Sequence, residues 1–139
     1  MSQIHLYLTF NGNCREAMNF YKRCLGGELL FQTVSESPLA EKLPKKMKDF
    51  ILHATLTRGE MVIMGTDMVS ETGLIKGNAV SIALHCQGEE EIRSCYEKLS
   101  AGGQATHPLN TTFWGSLFGD LIDKYGNHWL LHLDRTDNT

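Results

Sequence analysis

The sequence predicts an α+β fold built from two βαβββ modules, and three observations carry that prediction. Apolar alternation and helical spacing give the order strand, helix, three strands, and the same order then recurs. A shift of 76 residues lays Leu6, Leu8 and Phe10 on Ile82, Leu84 and Cys86, and Gly26-Gly27 on Gly102-Gly103. A shift of 75 lays Tyr21 on Tyr96 in the middle of each helix, and a shift of 67 lays Gly59 on Gly126 and Asp67 on Asp134. Identities are few, so the repeat is one of pattern.

Each element has a local reason. From Ile4 to Phe10 an apolar set (Leu6, Leu8, Phe10) alternates with a mixed set (His5, Tyr7, Thr9), which is a half-buried strand. Asn11-Gly12-Asn13 is a turn, with Asn13 a reasonable helix N-cap. Ala17, Phe20, Tyr21 and Leu25 then fall at helical spacing over Cys14 to Leu25, and Gly26-Gly27 ends the helix. Glu28 to Val34 reads as a strand. Ser35 to Asp49 holds two of the three prolines, Pro38 and Pro44, and reads as a long loop with at most a short helical turn. Phe50 to Thr57 and Glu60 to Thr66 form a hairpin around Arg58-Gly59. Polar residues 69–77 read as a linker between modules 1–68 and 78–135 of a single domain, 1–139. The second module is a strand through Ile82 and Leu84, and a helix over Gly88 to Ala101 with Glu89, Glu90 and Glu91 in its first turn. Strands follow to about Leu109, over Thr112 to Asp123, and over Asn127 to Asp134.

Composition narrows the function classes. The chain has 139 residues, 42% hydrophobic and 21% charged, with a net charge of −3. That gives no electrostatic footprint for nucleic acid. Lys45, Lys46 and Lys48 are flanked by Glu41 and Asp49 and read as a solvated loop. Apolar runs are too short for a membrane span, and the first residues lack the pattern of a secretion signal. Cys14, Cys24, Cys86 and Cys95 form no C-x-x-C pair, so reduced thiols in a cytoplasmic protein are expected. Cys14 lies where a helix dipole favours a thiolate, but an unreactive thiol is the expected state.

The motifs resemble a known family. Tyr7-Leu8-x-Phe10-Asn11-Gly12-Asn13-Cys14-x-Glu16-Ala17-x-x-Phe20-Tyr21-Lys22, His53-Ala54, Met64-Gly65-x-Asp67, Thr112-Phe113-Trp114-Gly115, Phe118-Gly119 and Asp123-Lys124-Tyr125-Gly126-x-x-Trp129 are similar to the PhnB-like branch of the vicinal oxygen chelate superfamily, which includes glyoxalase I and the fosfomycin and bleomycin resistance proteins. Members of the branch are often labelled 3-demethylubiquinone-9 3-methyltransferase domains. The resemblance covers nearly the whole chain. It implies paired curved mixed sheets around a cup, a small ligand inside that cup, and a homodimer in which the partner chain completes each cup.

In the enzymes of that superfamily a divalent metal sits on the cup floor, held by donors from the first and last strands of each half. The matching positions here are His5, Ile63, Ser81 and Leu130. Two are aliphatic, serine is a poor ligand, and zinc takes three or four protein donors. No resident metal or other cofactor is therefore expected. A displaced site of His5, His53 and His128 or His132 is the alternative. It would support a lyase, isomerase or dioxygenase, and a drug-sequestering protein is a third reading. No nucleotide-binding fingerprint is present, which counts against methyl transfer.

The expected ligand-binding residues are His5, Tyr7, His53, Ser81, Trp114, Phe118 and Leu130. Tyr7, His53 and Ser81 would supply hydrogen bonds, and Trp114, Phe118 and Leu130 apolar surface. The ordinary structural readings stand beside these. His5 caps a strand, His53 bonds to backbone, Trp114 packs at a dimer seam, Trp129 packs on a helix, and Asp67, Asp123 and Asp134 cap turns.

Overall fold

A computed structural model describes residues 2–134 and divides the chain between Ile75 and Lys76 into two compact units. The first contains β1 (Leu6–Thr9), α1 (Cys14–Leu25), β2 (Glu28–Thr33), β3 (Ile51–Arg58) and β4 (Met61–Thr66). The second contains β5 (Ile82–His85), α2 (Glu89–Ser100), β6 (Gln104–Thr111), β7 (Leu117–Ile122) and β8 (His128–Leu133). The two sheets have the same order, β1-β4-β3-β2 and β5-β8-β7-β6. In each, the first strand runs parallel to the last and the other pairings are antiparallel. This is the expected α+β pair of βαβββ modules.

In the first unit α1 lays Ala17, Met18, Tyr21, Cys24 and Leu25 on a core completed by Ile51, Ala54, Leu56 and Ile63. The helix crosses β4 at Gly65, where an added Cβ would lie 3.1 Å from both Cys14 Sγ and Met18 Sδ. In the second unit Ile92, Cys95, Tyr96 and Leu99 of α2 share a core with Leu117, Leu121, Trp129, Leu131 and Leu133. Each large apolar side chain buried this way contributes about 1.5–3 kcal/mol.

The paired glycines after the helices have one physical cause in both units. An added Cβ on Gly27 would lie 2.6 Å from the Thr57 carbonyl oxygen, and one on Gly103 would collide with that of Ile122. Both helices thus turn back into their sheets against the end of the middle strand, where no side chain fits.

Several local expectations need correction. The first strand begins at Leu6, because Ile4 and His5 are exposed and make no ladder bonds. The loop after β2 contains three short 3₁₀ turns, Val34–Glu36, Pro38–Glu41 and Lys45–Met47. The strand expected from Thr112 starts only at Leu117. Residues 112–116 instead form the β6–β7 turn, closed by Thr112 N–H to the Ser116 carbonyl at 2.7 Å, with Gly115 at φ +94°. Asn13 makes no side-chain cap. Among the described residues no helix is long and apolar enough to cross a membrane.

Candidate functional site

Strand alternation gives each sheet one face against its helix and one open face. The open face of the first sheet carries a row across all four strands: Tyr7, Met64, Thr55 and Leu30 are successive cross-strand partners. Tyr7 and Leu30 remain 51% and 73% exposed, against 0% for Leu56 on the other face. Beside that row His53 sets its ring 6.0 Å from Tyr7. Its Nε2 lies 3.1 Å from Thr55 Oγ1, so His53 is bonded to a hydroxyl and not, as expected, to backbone.

The second sheet carries two such rows. One is Ala83, Leu130, Asp120 and His107. The other is His85, His132, Phe118 and Asn110. His107 Nδ1 lies 2.9 and 3.0 Å from the two Asp120 carboxylate oxygens. The β6–β7 ladder slips on either side of His107, and Tyr96 of α2 inserts there. Its hydroxyl approaches the Asp120 carbonyl at 2.8 Å and the His107 carbonyl at 3.1 Å, donating to that pair. Burial, then the nearby Asp120 charge, push the Tyr96 hydroxyl above its ordinary pKa. Gly119 makes the close approach of β6 possible, since a Cβ there would lie 2.9 Å from Leu109 Cδ2.

The expected ligand-binding residues are therefore divided. Tyr7 and His53 meet on one open face, and Phe118 and Leu130 lie in adjacent rows of the other. His5 is exposed before β1, with Nε2 3.1 Å from Gln3 Oε1, beside a cleft of about 450 Å³ lined by Gln3, Ile4, His5, Gly59, Glu60 and Val62. Ser81 is exposed and precedes β5. Trp114 is not on a strand: it is 53% exposed in the β6–β7 turn, edge-to-face with Phe113 at 4.6 Å. Sequence reasoning missed Thr55, Met64 and Leu30, and it missed His85, His107 and Asp120. Alternation alone puts His85 opposite Leu84. Its nearness to His132 needed the strand register.

Residues 3–131 match the model of the Glyoxalase/Bleomycin resistance protein/Dioxygenase superfamily. The chain belongs to this superfamily. It is 29% identical over 143 residues to protein YjdN of Escherichia coli strain K12, the match covering 96% of each chain. Its fold is similar to that of protein PA1353 from Pseudomonas aeruginosa, with 34% identity and a TM-score of 0.83, covering 96% of this chain and 98% of that one. It is also similar to a PhnB protein from Bacillus cereus labelled a 3-demethylubiquinone-9 3-methyltransferase. There the identity is 28% and the TM-score 0.74, with coverage of 96% and 100%. These relatives bear out the PhnB-like resemblance.

The superfamily's divalent metal does not fit the residues at the four matched positions. Leu130 faces the open side but has no lone pair. Ile63 is 3% exposed and pairs with Leu6 and Leu56 on the helix side, so it stands in the core and not, as expected, at the cup floor. Its open-face neighbours, Val62 and Met64, offer at most a soft thioether. Within each unit, among the described residues, no three His, Cys, Asp or Glu side chains gather, which is fewer than zinc takes. His5 and His53 of the displaced alternative belong to the first unit, His128 and His132 to the second.

The buried carboxylates of the described residues are structural, as expected. Asp67 accepts from the N–H groups of Gly12 (3.0 Å) and Cys14 (2.9 Å) through Oδ1 and of Ile51 (2.8 Å) through Oδ2. Asp123 accepts from Tyr125 N–H (2.9 Å), Asn127 N–H (3.0 Å) and Trp129 Nε1–H (2.8 Å). Cys14 is fully buried, and burial, with the Asp67 charge second and Arg15 opposing, pushes its thiol up to about 12. It is no nucleophile.

Proposed function

We propose that this PhnB-like protein binds a small organic molecule in the cup that its fold implies, using aromatic and imidazole groups in place of a chelated catalytic metal. One observation carries the reading. Cross-strand rows of aromatic, imidazole and aliphatic side chains stand on open sheet faces, while the helix-side cores are complete without them. Binding pockets combine apolar walls with a few placed polar groups, and Tyr7, His53, Phe118 and Leu130 are of those kinds. His5, Ser81 and Trp114 remain members of the proposed set as groups at its margins. The exposed Phe113 and Trp114 support a homodimer in which the partner chain covers the β6–β7 turn. A cytoplasmic location belongs to the same reading. Methyl transfer does not, since no glycine-rich nucleotide-binding loop is present.

The test is a thermal-shift screen of the untagged protein against aromatic metabolites and antibiotics in the presence of EDTA. A ligand that binds the native state raises the melting temperature, by an amount set by its concentration relative to Kd. Tyr7→Ala or Phe118→Ala should abolish that shift. Ligand binding that requires a stoichiometric metal, with turnover, would favour the lyase, isomerase or dioxygenase reading. Saturation by an antibiotic alone would favour sequestration.

A further inference from the structure

We infer that His85 and His132 form a two-imidazole site for a borderline divalent transition ion, with Cu²⁺ the preferred occupant. The site shares an open sheet face with the small-molecule reading but rests on a separate observation, the His85–His132 pair. The two residues are Cα partners on the parallel pair β5–β8. Their side chains therefore leave one face of the sheet from backbones about 4.8 Å apart. Their ring centroids are 4.8 Å apart and the planes stand at 83°. His85 is exposed and His132 half-buried. Neither ring has a hydrogen-bond partner among the described residues, so all four nitrogens are uncommitted.

A chelated ion needs two neutral imidazole nitrogens about 2.0–2.1 Å from one centre. Two rings already side by side reach that arrangement by side-chain rotation, without moving the sheet. β5 is an edge strand, which leaves the approach to His85 unobstructed by a further strand of its sheet. Phe118, the cross-strand partner of His132 on β7, bounds the other side. Imidazole suits Cu²⁺, Ni²⁺ and Zn²⁺, and the intrinsic affinity order places Cu²⁺ first. No third His, Cys, Asp or Glu completes the site among the described residues, so water fills the remaining positions. Such a site captures an ion reversibly. It is not the closed centre of a structural zinc site.

The experiment titrates Cu²⁺ into the tag-free full-length protein, read by calorimetry and by electron paramagnetic resonance. One equivalent should bind with hyperfine coupling to two imidazole nitrogens. His85→Gln or His132→Gln should each weaken binding by roughly a hundredfold, within the gain that linking two donors contributes. His107→Gln and His128→Gln should leave it unchanged. Absence of binding overturns the inference. So does retention of wild-type affinity in both His85→Gln and His132→Gln, or loss confined to His107→Gln or His128→Gln. Paramagnetic broadening of ring protons in the unaltered protein supplies a reading that no misfolded variant can confuse. His85 and His132 should broaden first, and broadening that begins elsewhere overturns the site. Because the ligand screen runs in EDTA, failure of either idea leaves the other standing.

Discussion

The two units share a topology but anchor it at different places. In the first, the buried Asp67 at the end of β4 holds the entry to α1 and the start of β3 through three backbone N–H groups. In the second, the corresponding helix starts at Glu89 after Gly88, which has no side chain to cap it, and Glu91 accepts from Gln87 N–H at 2.7 Å on the exposed surface. The buried carboxylate there is Asp123, which closes the β7–β8 turn and holds Trp129. Both hairpin turns have a positive-φ glycine, Gly59 at +58° and Gly126 at +87°, but the β3–β4 turn is only Gly59-Glu60, whereas the β7–β8 turn runs over 123–127 and Asp123 gathers the N–H groups of Tyr125 and Asn127. Topology and apolar pattern thus repeat between halves, whereas the polar anchor has moved. A buried acceptor is needed only where several N–H groups converge, and the two halves converge them differently.

Substitution at the two aspartates tests this contrast most severely. Asp67→Ala orphans three donors at about 1–3 kcal/mol each, so a loss of about 3–5 kcal/mol is expected in urea unfolding. Asp123→Ala should cost about 2–4 kcal/mol on the same argument, since two of its donors are only part-buried. Hydrogen exchange should localise the first defect at α1 and β3 and the second at the β7–β8 turn. Equal loosening of both regions in either variant would mean that the anchors are not local.

The next test concerns what the halves share. Gly27→Ala and Gly103→Ala should both destabilise, by roughly 2–3 kcal/mol, near the upper end of the usual cost of overpacking. Both would press a methyl group on a strand carbonyl. A neutral result in one half alone would show that the repeat fails at its turns. A smaller effect belongs to the second half: Tyr96→Phe removes the hydroxyl from the Asp120 and His107 carbonyls and should cost about 1 kcal/mol. Since the register slip there stays, the fold should persist.

The least effect at neutral pH is expected at Cys14. Its thiol, near 9 when unfolded, is raised to about 12 in the native state. The native state therefore keeps its proton while the unfolded chain loses it. Stability from this group is fully present below pH 9 and declines between pH 9 and 12. Unfolding measured at pH 8 and pH 10.5 should show a steeper decline for the parent than for Cys14→Ala. Native Cys14 should resist alkylation at pH 8.

The fold was legible because apolar period and glycine position report on backbone geometry locally. Cys14–Leu25 is recovered to the residue from the spacing of Ala17, Phe20, Tyr21 and Leu25, and burial of Trp129 follows from alternation with His128 and Leu130. Turn carboxylates were legible too, since Asp123 lies within four residues of two of its three donors. The site was only partly legible. Tyr7 beside His53 joins strands separated by more than forty residues, and no periodicity expresses which rows face each other. Ile63 shows the cost of that gap: a displacement of one residue in a strand exchanges the open face for the core.

Sequence alone determined the superfamily resemblance, the order of elements, the apolar face of α1 and the burial of Trp129, because each depends on short-range pattern. Only tertiary structure decided that Phe113 and Trp114 occupy a turn, that Tyr96 enters a slipped ladder, and that His85 stands against His132. Those are consequences of register. Register is settled by whole strands choosing a common buried face, not by any residue's neighbours along the chain.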